Sequence, residues 1–280
     1  MLTTEVLRVA VEGDGDARVL TLDRAFQGLP DTAHGGSVLA AFDLVAGGGG
    51  RRQLDGRYLR RVPLGVPLRI HARPAADGCH LELLERDSVL VRGRVAPVSD
   101  ADRADGAAPP AGDAMDLPIS RTCFACGMDN PLGLGLRLRA DGDTVGGTWM
   151  PRPGFATAGG VVAPVALTTL LDEAAFWLGA LATGEAGMTT ELRVTLHGEA
   201  AAGTPITVAG ARAAVRPRPD DPRYQDTAVT ARDADGRLIA SAAITFVAVR
   251  GAARKLVTGM LAVNPPAVLR FAFPAYTPGP

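Results

Sequence analysis

"DTAHGGSVLAAFDLVAGGGG" (residues 31–50) is the stretch on which the reading of this chain turns. A histidine and two glycines lead into a short apolar run, and four glycines end it. The apolar spacing predicts a helix from about Gly36 to Ala46, with the glycine run as its stop. One carboxylate, Asp43, sits inside that run between Phe42 and Leu44, nine residues after His34. A charge on an apolar helix asks for a reason, and the arrangement recurs further along the chain.

Phe26 precedes Asp43 by 17 residues, and Phe155 precedes Asp172 by the same interval. "LRVAVEGDGDARVLTLDRAF" leads up to the first pair and "LRLRADGDTVGGTWMPRPGF" to the second, each with Asp-Gly-Asp at a turn between alternating stretches. That is hairpin chemistry. Downstream, "VPLGVPLRIHAR" (62–73) pairs with "AAAGTPITVAGAR" (200–212), matching Gly65 to Gly203 and Pro67 to Pro205. "DSVLVRGRVAPV" (87–98) pairs with "DGRLIASAAITFVAV" (235–249). The offset grows from 129 to 138 to 148, so the second copy carries insertions between its elements. Each copy reads as a hairpin, a helix and three strands, an α+β arrangement.

In the second copy Pro164 suits a first helical turn, Leu167, Leu170, Leu171, Ala174, Leu178 and Leu181 follow at helical spacing, and Gly184 fits the stop. The predicted units are 1–98 and 123–250. Residues 99–122, rich in Ala, Asp, Pro and Gly, read as a linker. Residues 251–280 form an apolar-patterned C-terminal extension without a counterpart.

The 280 residues are 47% hydrophobic and 21% charged, with a net charge of −1. This is a globular composition without the basic field that nucleic acid or an anionic membrane surface demands. No uninterrupted apolar run reaches the ~18 residues of a membrane span. The start lacks the basic-then-apolar pattern of a signal peptide, and three cysteines make no disulfide framework. A cytoplasmic protein is the expectation.

The strand pair, "HGG" opening a central helix, the carboxylate nine residues on and the "RRVPLGVPLRI" strand resemble the hotdog fold of acyl-CoA thioesterases. "CFACGMDNPLGLGLRLRADGD" (123–143) is similar to a Cys-x-x-Cys-Gly segment before the first strand of many hotdog proteins. The resemblance spans nearly the whole chain as two tandem hotdogs. It implies a double hotdog, with two antiparallel sheets each wrapped around a long central helix. The implied substrate is an acyl-CoA or acyl-carrier thioester, with coenzyme A as part of the substrate and no separate cofactor. A homo-oligomer is expected.

In such families one unit supplies a helix N-terminus and the other a carboxylate. Carried over, one mixed site joins His34, Gly35 and Gly36 to Asp172, and a second joins Asp43 to the other helix start. Free N–H groups at a helix start suit a developing oxyanion. Burial on an apolar helix is expected to raise the carboxylate's pKa, fitting it as a general base, or it attacks directly as a nucleophile. By the 129 offset, His34, Gly35 and Gly36 fall on Ala163, Pro164 and Val165. Proline has no N–H, so the second site should lack its donor and Asp43 reads as a relic. Glu173 is a substitute for Asp172, about 100° around the helix. Phe176 and Trp177 read as core or interface residues rather than acyl-pocket walls.

Cys123-x-x-Cys126 has no second cysteine pair, so no metal site is expected. The arginines of "RPRPDDPR" (216–223) read as a solvated loop with a possible second use on coenzyme A phosphates. Besides a thioesterase, the sequence leaves open a non-catalytic acyl binder and a hotdog enzyme of another type such as a dehydratase. The hydratase pattern of Asp and His five apart is not met by Asp31 and His34.

Overall fold

Both central helices form where apolar periodicity places them. In the computed structural model, which describes residues 2–14, 18–98 and 106–276, the first half contains helix α1 (Thr3–Val9), strands β1 (Val11–Glu12) and β2 (Arg18–Leu20), helix α2 (Gly35–Val45), and strands β3 (Arg52–Tyr58), β4 (Leu68–Ala75), β5 (Gly78–Glu85) and β6 (Ser88–Pro97). Then come β7 (Met115–Asp116), β8 (Arg139–Ala140), β9 (Thr144–Trp149), helix α3 (Pro164–Thr183), β10 (Gly187–Leu196), β11 (Ile206–Ala211), β12 (Arg216–Pro217), β13 (Tyr224–Arg232) and β14 (Leu238–Ala248). Helices α4 (Ala252–Met260) and α5 (Pro266–Ala272) follow.

His34 caps α2 from extended backbone, with its ring nitrogen near the Gly36 amide. α3 starts on Pro164, whose missing N–H costs nothing there. It ends on Gly184 at φ 67°, a left-handed turn that a side chain would disfavour. By length and composition α3 could cross a membrane, but 83% of its most apolar window is buried inside the protein, as in a core helix.

The resemblance implied two sheets; the structure has one. Its strands run β1-β2-β4-β5-β6-β3-β10-β14-β13-β11-β9-β8-β7. The join is an antiparallel ladder between β3 and β10, from Glu191 opposite Arg57 to Leu196 opposite Arg52. Pairing these two strands removes the free edge that each half would otherwise expose. On either side of the join the order is mirrored: β3-β6-β5-β4-β2 one way, β10-β14-β13-β11-β9 the other.

Local geometry repeats at the same offset. Short 3₁₀ turns cover Arg24–Phe26 and Pro153–Phe155. The His34 amide donates to the Phe26 carbonyl and the Ala163 amide to Phe155, both at 2.8 Å. Each helix is followed by four strands of the mirrored path, not three, because the strand after "GGGGRR" hides in a polar sequence.

Other expectations shift. Residues 3–9 are helical, since Leu7 packs inward and Thr3 Oγ1 donates to the Leu132 carbonyl, which leaves the first hairpin a two-residue strand. Its turn falls partly on residues 15–17, outside the described residues. So do residues 99–105 of the expected linker, whereas Leu117 is buried and β7 pairs with β8. The C-terminal extension is docked: Leu269 and Phe273 are fully buried, and Phe273 lies 5.9 Å from Trp177, ring to ring. Between the halves Phe124 sits 4.8 Å from Phe26 and 6.1 Å from Phe155. The Cys-x-x-Cys segment is thereby wedged at the centre.

Candidate active site at the meeting of the two central helices

The N-terminus of α2 meets the middle of α3 at a very short distance. A Cβ on Gly36 would lie 2.7 Å from the Thr168 backbone, and one on Gly35 would lie 2.7 Å from Asp172 Oδ2. Helix packing therefore requires glycine at 36, and the Asp172 carboxylate fills the space beside Gly35. Thr168 Oγ1 donates to the Gly36 carbonyl at 2.8 Å, and Tyr58 Oη to the Gly35 carbonyl at 2.6 Å.

Asp172 comes from the second half onto this helix start. Its Oδ2 accepts the Gly36 N–H at 3.0 Å and lies 3.2 Å from His34 Nδ1. Its Oδ1 accepts the Thr189 hydroxyl at 2.6 Å. The Gly36 amide is thus already engaged. The Gly35 amide has no acceptor among the described residues, so it alone of the two is free to meet a ligand oxygen.

Burial pushes the Asp172 carboxyl up, but His34, the Thr189 hydroxyl and the Gly36 amide together carry it below the usual carboxylate range. This reverses the expected direction: desolvation acts, and hydrogen bonds to the charged form outweigh it. Burial likewise works against the His34 cation, but Asp172 and Glu173 hold its pKa well above the ordinary value. Burial and the Asp172 charge keep Tyr58 a phenol.

Glu173 does not stand in for Asp172. Its Oε2 lies 3.6 Å from His34 Nε2 and its Oε1 accepts Trp177 Nε1–H at 3.1 Å. Cys123 joins them, its thiol, the imidazole and the Glu173 carboxylate lying within 4.8 Å of one another. The hydrogen bond from Cys126 lowers the Cys123 pKa, and the same bond, with burial, raises that of Cys126.

His34, Gly35, Tyr58, Cys123, Asp172, Glu173 and Thr189 border a cavity of about 360 Å³, within the range of small-molecule sites. Its apolar wall includes Phe176, Trp177, Met188 and Val247, and the C-terminal extension closes it with Leu256 and Met260. Arg60 and Arg61 are exposed at its border, and neither side chain meets a carboxylate among the described residues. Elsewhere, Arg218 of the "RPRPDDPR" loop is held by Asp226 and Glu191, and Arg223 by Asp221.

Asp43 is not at this cavity. Arg52 Nε and Nη2 grip its two oxygens at 2.5 and 2.6 Å, and both residues are buried. Thr189, Tyr58 and Arg52 are the partners that sequence reading missed. Thr189 lies 17 residues after Asp172 on another element, a distance that carries no helical signal. Cys123 was read and set aside for want of further ligands in sequence.

No family model and no curated protein matches the sequence. Solved structures match along most of the chain. The tesB protein of Mycobacterium avium subs paratuberculosis is 14% identical, with 88% of this chain and 99% of that chain covered and a TM-score of 0.61. A conserved protein with a hotdog fold from Alicyclobacillus acidocaldarius gives 14%, 86%, 96% and 0.60. An acyl-CoA thioesterase II, TesB2, from Mycobacterium marinum gives 12%, 88%, 98% and 0.56. The GphF dehydratase shares the architecture as well. At these identities the likeness establishes the α+β hotdog fold and leaves the reaction to the site.

Proposed function

We propose that the chain hydrolyses acyl thioesters, with acyl-CoA as the substrate class, in the cavity between α2 and α3. Residues 1–98 and 123–250 act as tandem hotdog units that together build one site. The observation that carries this reading is the Asp172 carboxylate, held ionised at the start of the opposite unit's helix on the wall of a largely apolar cavity. The acyl chain lies against Phe176, Trp177 and Met188. The thioester carbonyl oxygen meets the Gly35 N–H, which stabilises the oxyanion as it develops. Asp172 takes a proton from water as the water oxygen adds to the carbonyl carbon. The tetrahedral adduct then expels the thiolate, which recovers the proton, giving a free acid and a thiol. His34, Thr189 and the Gly36 amide orient the carboxylate. Arg60 and Arg61 supply positive charge where the coenzyme A phosphates emerge.

The acyl-CoA thioesterase among the structural neighbours supports the substrate class. A second reading is favoured by one observation: three partners depress the basicity of Asp172, which suits a non-catalytic acyl-thioester binder. A panel of acyl-CoA thioesters, followed by thiol release, separates the two. Turnover is expected, falling about 10²–10⁴-fold in Asp172→Asn and persisting in Asp43→Asn. Equal turnover in parent and both variants would remove the carboxylate mechanism. Tight acyl-CoA binding without turnover would establish the binder.

A further inference from the structure

The geometry points to a metal site at the cavity wall, in which His34 Nε2, Cys123 Sγ and a Glu173 oxygen bind one zinc-like divalent cation. One nitrogen, one sulfur and one oxygen from three buried residues lie within 4.8 Å of one another. In a tetrahedral zinc site, donors at bond lengths of 2.0–2.3 Å stand about 3.3–3.6 Å apart. The His34 Nε2 to Glu173 Oε2 separation is already 3.6 Å, so a shift of about 1 Å in the widest pair closes the set. A thiolate, an imidazole and a carboxylate together match zinc's preferences better than those of magnesium or calcium, which take oxygen ligands.

The outer partners are also in place. A histidine that binds metal through one nitrogen usually gives its other N–H to a carboxylate. His34 Nδ1 lies 3.2 Å from Asp172 Oδ2 and 3.2 Å from the Gly36 amide; metal on Nε2 selects the tautomer whose Nδ1–H faces Asp172, leaving the Gly36 N–H to Asp172 Oδ2 at 3.0 Å. The Glu173 oxygen not needed for the metal accepts Trp177 Nε1–H at 3.1 Å. Cys123 Sγ accepts the Ala125 N–H at 3.3 Å, which supports a thiolate. Each proposed ligand is thus oriented by a second group, and all three residues line the cavity, from which water or a bound molecule would take the fourth position. Cys126 borders the same cavity but stands outside the three-donor set; it acts as an outer thiol toward Cys123. Binding displaces the Nε2 and Sγ protons to solvent, so no redox partner is involved.

This inference stands apart from the hydrolase reading, since its test reads metal and not turnover. The full chain, stripped with chelator, is titrated with zinc and, separately, with cobalt(II). One equivalent per chain is expected. The cobalt form should show visible bands of a four-coordinate site and a thiolate-to-cobalt charge-transfer band in the near ultraviolet. Zinc should also raise the melting temperature of the parent. Cys123→Ser should abolish the charge-transfer band. Glu173→Gln should weaken binding at least tenfold, and it serves if Cys123→Ser fails to fold. Asp172→Asn, which alters the outer partner of His34 without touching a proposed ligand, should cost about 10–100-fold in affinity. Cys79→Ser, whose thiol lies on β5, should bind as the parent does. Absence of stoichiometric uptake by the parent would overturn the site, as would an unchanged charge-transfer band in Cys123→Ser. Loss of binding in Cys126→Ser equal to that in Cys123→Ser would overturn the three-ligand assignment.

Discussion

Asp43 and Asp172 occupy equivalent places in two copies of one plan, yet their surroundings have diverged. Both lie buried on a central helix. Asp172 meets a histidine, a hydroxyl and a backbone amide at the edge of a cavity. Asp43 is held through both oxygens by one guanidinium. The difference lies in what each partner can do. His34 can release a proton and leave a neutral ring, whereas a guanidinium has no neutral form to offer in a protein. One carboxylate therefore sits beside a group that can lose its proton, and the other in a two-pronged ion pair.

The largest expected effect exploits that contrast. Asp43→Ala leaves Arg52 charged and buried without its partner, and should cost about 3–5 kcal/mol of stability. Denaturant unfolding measures it. Asp172→Asn should cost much less, because His34 can discharge. Replacing the pair together, Asp43→Leu with Arg52→Met, should restore most of the loss, since an apolar pair of similar volume often equals a buried ion pair. If the single change costs less than about 1 kcal/mol, the pair is solvated in practice and the contrast fails.

The next effect tests why glycine opens α2 and valine takes its place in α3. Gly36→Ala sets a Cβ against the Thr168 and Thr169 backbone, neither of which can rotate away. Forcing the helices apart should cost about 1–3 kcal/mol. Because the displaced element carries Asp172, thioester turnover should fall alongside. Val165→Ala at the equivalent position of α3, 2% exposed, removes volume and should leave the Gly36–Asp172 contact intact. Comparable turnover losses in both would mean that the close approach is not specific to the first helix start.

Much of this plan was legible in residues that carry local signals. Pro164, Gly184 and the glycine run set the helix limits through backbone rules that act over a few residues. The 129-residue offset was visible because Phe26 and Phe155 repeat with their helices. The single sheet was not legible, since β3 and β10 are joined by an inter-half ladder whose register no local pattern records. The site was half legible for the same reason. His34, Gly35, Gly36 and Asp172 stand out by type and spacing, but Thr189, Arg52 and the approach of Cys123 to His34 exist only after folding. Desolvation predicted a raised carboxylate pKa; His34 and the Gly36 amide, both visible in the sequence, and Thr189, which was not, reverse it by hydrogen bonding to the charged form.

Tyr58→Phe offers a smaller effect on the same helix start. Its hydroxyl donates to the Gly35 carbonyl from a strand, whereas the equivalent Pro164 carbonyl of α3 accepts Thr168 Oγ1 of the same helix at 3.1 Å. Its removal should cost about 0.5–1.5 kcal/mol, seen as a lower unfolding midpoint with unchanged denaturant dependence. If the Gly35 amide is the oxyanion donor, kcat should fall more than KM rises.

The smallest expected effect lies at the cavity border, where the two halves differ in charge. Arg60 and Arg61 precede Val62 in the first half, while Arg218 and Arg223 of the second half's loop are held by Asp226, Glu191 and Asp221. Exposed charges act on a phosphate through water and salt, so each is worth on the order of 1 kcal/mol or less. Arg60→Gln with Arg61→Gln should raise KM for acyl-CoA several-fold at low ionic strength and hardly at all at high salt. A short thioester lacking the nucleotide should be unaffected at either. An equal rise for both substrates would place the arginines in support of the fold rather than at the phosphates, leaving the first half without its proposed electrostatic advantage.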